Sequence, residues 1–438
     1  MATASPVPPQ EPAASARRCG DRRLGAAGRE ADGAGLAASP AGAAEPVVPE
    51  SVAAVPPARP PAAAPPASPP PERHGGNRRA EALRLGCRPG QLLDASASLV
   101  PFGPPWRLRA QLLAQLLQGS ALRDYPDRSY GELRRALAAA HAVDPAAVLP
   151  GNGAAELFTW AARDAAACGP TLLPSPGFAD HQRALACWQA PLLSLPLSLD
   201  WQEAGPVPWP AAAQAAALPP VLWITNPHNP TGQLWSRASL EPLLARCALM
   251  VVDEAFLPLT PGGERQSLIP LLADHPQLVV IRSLTKLLAV AGLRLGYALG
   301  DPRRLDRWAR WRDPWPVNGL AARLAPALLH DPRWQERVLA WVEREGCWLR
   351  RQLRRLPGLE VRPSATSYLL LRGLQDGRPQ SLEPLRQVLA QRHRILLRDC
   401  RSFDGLDDSW LRLSLQDRRG HRRLLRALGQ EWPGAVRP

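Results

Sequence analysis

The sequence predicts an α/β protein: a large, doubly wound, mostly parallel sheet, a smaller α+β C-terminal domain and a disordered N-terminal tail. Three observations predict it. From Val148 onward, short apolar runs, polar turns and helical stretches alternate, as parallel sheets with crossover helices require. The polar residues that attract attention fall where those apolar runs end, the edge at which open α/β sheets bind ligands. Residues 1–72 hold 16 of the 51 prolines and no aromatic residue, so they lack the apolar surface to offset the entropy of ordering.

Four segments are expected: a tail over 1–72, an N-terminal segment over 73–118 that packs on the small domain, a large domain over 119–316 and a small domain over 317–438. His74-Gly75-Gly76-Asn77 opens the ordered part, with a helical stretch running to about Gly86. Leu92–Asp94 reads as a short strand, Val100–Pro105 as a turn-rich loop, and about Trp106–Gln118 as a helix. Tyr125-Pro126-Asp127 precedes another helix, 130–141. Gly151-Asn152-Gly153 leads into a helical run, 154–167, and Leu172–Leu173 is a brief strand before helix 179–187. Val221–Ile224, Leu249–Val252 and Leu278–Ile281 are apolar runs rich in valine, leucine and isoleucine that read as buried strands. After a proline-punctuated break at 313–316, one long helical segment (319–355) precedes strands near 359–362 and 368–372. A helix at 381–392 and strands at 394–398 and 410–415 complete the pattern.

A formal charge of +14 and a pI near 10.6 invite a nucleic-acid reading. The arginines are scattered, however, and no basic run is interleaved with aromatics, so attraction of phosphorylated small molecules accounts better for the charge. Seven dispersed cysteines without a CxxC pair suit reduced thiols in the cytoplasm, and no Cys/His metal spacing appears. No apolar run approaches the ~20 residues of a membrane helix, and no signal peptide opens the chain.

Lys286 is the single lysine among 53 basic residues. Arginine cannot lose a proton and attack a carbonyl carbon, so a lone lysine in an arginine-only chain points to covalent chemistry. The alternative is a chance survivor on a solvated face. Ser283 and Thr285 place hydroxyls beside it, and Arg294 lies eight residues on between Gly292 and Gly296. A covalent amine with hydroxyls and an arginine suits an aldehyde cofactor carrying a phosphate, pyridoxal phosphate. Gly151–Gly153 at a helix start can cradle a phosphate or merely cap the helix. Asp253, ending a strand, can pair with a pyridine nitrogen or cap a helix. Asn229 in N-P-H-N-P-T-G can reach the ring's phenolic oxygen, or the heptad can be only a loop.

Together S-L-T-K, G-L-R-L-G-Y, D-E-A-F, N-P-H-N-P-T-G and G-N-G resemble the pyridoxal-phosphate enzymes of the aspartate aminotransferase fold (fold type I), over about 73–420. H-G-G-N at 74–77 and L-L-R-D-C-R-S-F-D-G-L-D-D-S-W-L-R-L-S at 396–414 narrow the resemblance to threonine-phosphate decarboxylases of cobalamin synthesis, close kin of histidinol-phosphate aminotransferases. The resemblance implies that Lys286 holds the cofactor covalently, Asp253 its ring nitrogen and Asn229 its phenolic oxygen. It places Ser283, Thr285, Arg294 and the backbone of Gly153 and Ala154 at the cofactor phosphate, with Tyr125 reaching that phosphate from the partner of a homodimer. Arg412 would grip the substrate carboxylate, and Arg398 with His74 and Gly75 the substrate phosphate. His181 is the implied ring-stacking residue, with Phe178 as its rival. Phe256 stands where relatives usually carry tyrosine, and Ala155 replaces a common Ser or Thr. Ser98 and Val100 replace two asparagines of the usual S-x-N-x-N-P loop, which bears on substrate contacts there.

The expected reaction is decarboxylation of L-threonine O-3-phosphate to 1-amino-2-propanol phosphate. The alternative is transamination of a phosphorylated donor such as histidinol phosphate. A third reading, from another class, is a non-catalytic cofactor- or RNA-binding protein. The expected partner is a small phosphorylated amino acid, with no nucleic acid and no membrane.

Overall fold

The computed structural model describes residues 74–210, 219–329 and 331–432. The expected tail, 1–72, lies outside them. Two sheets carry the architecture. The larger has seven strands: β2 (Val148–Asn152), β3 (Thr171–Ser175), β4 (Leu192–Pro196), β5 (Val221–Thr225), β6 (Leu249–Asp253), β7 (Leu278–Ser283) and β8 (Leu295–Gly300), in the order β2-β8-β7-β6-β5-β3-β4. Only β8 runs antiparallel to its neighbours. Strands β5, β6 and β7 are buried along their whole length, which is why they read as unbroken apolar runs rather than alternating ones.

The smaller sheet joins β1 (Leu93–Ala95), β12 (Ile395–Asp399), β13 (Trp410–Ser414), β10 (Tyr368–Gln375) and β11 (Arg378–Pro379), with β9 (Leu359–Val361) pairing with β10. β1 runs parallel to β12, tying the start of the described chain to its C-terminal third.

Helix α1 spans Arg78–Arg84, α2 Trp106–Gln118, α3 Ser120–Arg123, α4 Gly131–His141, α5 Ala154–Cys168 and α6 Ala179–Cys187. The sequence pattern places most of these within one or two residues. The long helix expected over 319–355 is instead two helices, Gly319–Leu328 and Pro332–Leu353. Proline lacks an N–H and clashes with a preceding turn, so Pro332 serves as the first residue of a new helix. The Asp331 carboxylate caps that helix by accepting from the backbone N–H of Trp334 at 3.1 Å.

β4 and β8 escaped the pattern. β4 is an exposed edge strand, with Leu192 and Leu193 over 40 % accessible. β8 contains Gly296 and Gly300, which depress strand propensity. Gly296 has a specific reason to be there: a Cβ at that position would lie 2.6 Å from the Ala154 nitrogen and 2.8 Å from the Gly153 carbonyl carbon. Its absence lets the turn before α5 close onto the sheet.

Beneath the C-terminal edge of the large sheet, Arg282 and Glu254 form an ion pair (2.7 Å) in which both side chains are almost wholly buried. Glu254 also accepts from Ser267 Oγ and Leu268 N, both at 2.9 Å. These residues follow or precede Asp253 and Ser283 by one position, so the pair locks the ends of β6 and β7 in register. Removing one partner strands a buried charge, which costs about 3–5 kcal/mol. Arg282→Met is expected to lose that much in urea unfolding; a loss below about 1 kcal/mol would show that the pair does not hold the strands.

Candidate active site

The C-terminal edge of the large sheet and the small sheet enclose a cavity of about 450 Å³. Its floor comes from strand ends. Asp253 closes β6 and Ser283 closes β7. Ser283 then caps the short helix Leu284–Leu288, its Oγ accepting from the Thr285 N–H at 3.3 Å. That helix carries Lys286 into the cavity beside Thr285. Arg294 does not follow the expectation that each polar candidate ends a strand. It precedes β8, whose reversed direction brings its amino end to the same edge.

Lys286 is the most consequential group. Burial pushes its ammonium pKa down to about 8; Arg412 and Arg294 push the same way, and Asp253 opposes them. About one amine in ten is then neutral at pH 7, against about one in three thousand for an ordinary lysine. Apo-protein mixed with pyridoxal phosphate is expected to gain visible absorbance at a rate that rises with pH and levels off above a midpoint near 8. A midpoint near that of free lysine would mean a solvated amine.

At the other side of the floor, Gly153 has φ +75° and precedes α5, whose first residues Ala154 and Ala155 line the cavity. A Cβ on Gly153 would lie 2.5 Å from Arg294 Nη2. Glycine is therefore required for the guanidinium to lie against the turn. The 15-residue helix directs its N-terminal N–H groups and positive dipole end toward the same place as Arg294, Ser283 and Thr285. Such a donor set suits a phosphate dianion.

Asp253 Oδ1 accepts from Ala255 N (3.0 Å), while Oδ2 lies 3.1 Å from His181 Nε2. His181 is fully buried and does not line the cavity. The implied ring-stacking position is thus corrected: His181 sits behind Asp253, wedged against Phe158, Phe178 and Trp223. Phe178 and Phe158 present their rings to the cavity instead. Phe158 had no sequence signal beyond its helical spacing.

Asn229 lines the cavity, and its Oδ1 accepts from Arg412 Nη1 at 2.5 Å. That leaves its amide N–H₂ as the donor toward the interior. Arg412 Nη2 donates to the Ser96 carbonyl at 3.3 Å, and the guanidinium lies over Tyr368 (4.9 Å). Its Nε is buried without an acceptor among the described residues, and burial lowers its pKa. The N-P-H-N-P-T-G heptad is no surface loop: all seven residues are buried. Asn226 anchors it by donating to the Trp235 carbonyl and accepting from its N–H.

Arg398 is buried and donates to Ser402 Oγ at 2.6 Å. His74 and Gly75 also line the cavity. A Cβ on Gly75 would meet the Ser96 carbonyl at 2.5 Å, and Gly76 N donates to Ser96 Oγ at 3.1 Å, so the segment closes on Ser96. Burial lowers the His74 pKa; Asp180 partly opposes it, with Arg398, Arg183 and Lys286 adding to the fall. The serine that stands in place of a usual asparagine, Ser98, is engaged with Ser414 Oγ at 2.7 Å. Tyr125 is the outlier. It is 78 % exposed, stacks on Trp315 at 4.5 Å and takes no part in the cavity of its own chain.

The cavity therefore offers a desolvated amine, a carboxylate, a phosphate cradle and aromatic walls, which fit pyridoxal phosphate, with two further arginines left over. Comparison with known proteins agrees. Residues 96–428 match the aminotransferase class I and II family. The chain is 36 % identical over 368 residues to a threonine-phosphate decarboxylase of Salmonella typhimurium, covering 81 % of this chain and 95 % of the relative. It is 33 % identical over 334 residues to a histidinol-phosphate aminotransferase of Symbiobacterium thermophilum, covering 75 % and 87 %. The crystal structure of an L-threonine-O-3-phosphate decarboxylase from Porphyromonas gingivalis superimposes with a TM-score of 0.66 at 26 % identity, covering 76 % and 97 %. The chain belongs to the aminotransferase class I and II family, as a pyridoxal-phosphate enzyme of fold type I.

Proposed function

We propose that the protein decarboxylates L-threonine O-3-phosphate, releasing CO2 and 1-amino-2-propanol phosphate. The observation that carries this reading is the pairing of Arg398 with Arg412. They are register partners on β12 and β13, and both reach the cavity that holds Lys286. Two cationic grips side by side suit a short substrate with a carboxylate at one end and a phosphate at the other. The similarity to threonine-phosphate decarboxylases supports the same substrate.

Bound pyridoxal phosphate would supply an electron sink for the pair left on Cα when CO2 departs. Lys286 would hold the cofactor, and its amine would return a proton to Cα. Asp253, oriented by His181 and the Ala255 N–H, holds a proton at the ring nitrogen, and Asn229 donates to the ring's phenolic oxygen. Ser283, Thr285, Arg294 and the N-terminus of α5, entered through Gly153 and Ala154, hold the cofactor phosphate. Arg412 binds the substrate carboxylate and orients it for departure. Arg398, His74 and the Gly75 segment bind the substrate phosphate, and Phe158 and Phe178 keep water from the ring.

The relatives that are histidinol-phosphate aminotransferases favour a second reading, transamination, because a dicarboxylate partner would also use two arginines. Product analysis separates them. Threonine phosphate incubated with holoenzyme alone is expected to yield CO2 and the amino-alcohol phosphate. Turnover that requires a 2-oxo acid and releases no CO2 would replace this reading with transamination.

The active unit in this reading is a cytoplasmic homodimer. Exposed Leu113, Leu117, Leu122 and Tyr125 form an apolar surface on and after α2 and α3 that a second copy would cover, bringing Tyr125 to the partner's cofactor phosphate. Sedimentation at the monomer mass under turnover conditions would remove the dimer. Among the described residues no helix is long and apolar enough to cross a membrane.

A further inference from the structure

We infer that Phe403 is a specificity-determining spacer: its ring sets the separation of the Arg398 and Arg412 guanidiniums and hence the length of the dianion the site accepts. The inference rests on the reading of those arginines as substrate grips and adds what selects among substrates that share both anionic groups.

Arg398 and Arg412 stand directly opposite each other on antiparallel strands, so both side chains leave the same face of the small sheet. Both are buried. Like charges in cross-strand register repel, and burial strengthens the repulsion. Their separation therefore depends on what holds each guanidinium. One aromatic ring is in range of both. The Phe403 centroid lies 5.3 Å from Arg398 Cζ and 5.6 Å from Arg412 Cζ, inside the distance at which a ring face attracts a guanidinium.

The ring itself is held fast. Phe403 is 1 % exposed, its N–H donates to the Cys400 carbonyl at 2.9 Å, and it packs with Trp201, Leu370, Leu406 and Trp410. Each guanidinium also has its own acceptors: Ser402 Oγ for Arg398, and Asn229 Oδ1 and the Ser96 carbonyl for Arg412. The ring is the element common to both grips. Phe403 also lines the cavity, so a substrate that spans the two arginines passes over it. A smaller aliphatic side chain would remove the shared attraction and free volume between the grips, letting a longer dianion bind.

The test compares holoenzyme carrying Phe403→Leu with wild type, using three ligands. These are L-threonine O-3-phosphate as substrate, O-phospho-L-homoserine as a dianion one methylene longer, and L-threonine as a ligand without the phosphate. The spacer role predicts opposite movements. In Phe403→Leu, kcat/KM for threonine phosphate falls at least fivefold while the Ki of phosphohomoserine improves at least fivefold, and the Ki of threonine stays within twofold. A merely structural role would weaken all three together, and that result overturns the proposal. Phe403→Tyr keeps the ring and is expected to restore the wild-type order; Phe403→Met replaces the leucine variant should that one not fold. If wild-type enzyme does not prefer threonine phosphate to threonine, the grip reading itself fails. A phosphate preference with an unchanged length order in the leucine and methionine variants refutes the spacer alone.

Discussion

Lys286→Ala is expected to abolish the visible absorbance of the cofactor-loaded protein and to lower turnover on the order of 10⁴-fold or more. No neighbouring group can substitute, because the chain has no second lysine and arginine stays protonated. Lys286→Arg is expected to be equally inactive although it keeps the charge, which separates loss of an amine from loss of a cation. Circular dichroism and thermal unfolding should stay close to wild type: a protonated amine whose pKa is pushed down by burial is a cost to the fold, and alanine removes it. Absorbance and turnover that persist in the alanine variant would end the covalent reading.

Arg398→Gln is expected to raise KM for the phosphorylated substrate roughly a hundredfold, the loss of about 3 kcal/mol from a charge-assisted contact to a phosphate. The affinity for pyridoxal phosphate should change by less than about threefold, since the cofactor phosphate has its own cradle at Gly153, Ser283, Thr285 and Arg294. The split between substrate KM and cofactor affinity is the informative quantity. Equal losses in both would place Arg398 in the cofactor site or in the scaffold. Arg412→Gln should show the complementary pattern, weakening ligands that carry a carboxylate whether or not they are phosphorylated.

Much of this site was legible in the chain because its chemistry depends on residue types that few other roles require. The lone lysine, the hydroxyls at 283 and 285 and the glycine before a helix each had a reason to be what they are before any coordinate was known. The central strands were equally legible, since complete burial leaves an unbroken apolar signature in β5, β6 and β7. What escaped notice shares a different physical character. β8 carries glycines for close approach, which a propensity reading discounts. Arg282 and Glu254 look like ordinary surface charges until folding brings them 2.7 Å apart in the interior. The resemblance implies a stacking ring at His181, because relatives often carry an aromatic there. Its actual place, 3.1 Å from Asp253, depends on how α6 docks on β6, and no local spacing records that. Phe403 belongs to the same class, because its relation to two arginines exists only once β12 and β13 pair.

The account depends above all on which amine carries the cofactor. Borohydride reduction of the holoenzyme, followed by digestion and mass spectrometry, would fix the pyridoxyl group to its attachment point. The account predicts a single adduct on the peptide Ser283–Arg294, released by cleavage after arginine, that carries Lys286. Reduced, fully loaded protein whose Lys286 peptide is unmodified would contradict it.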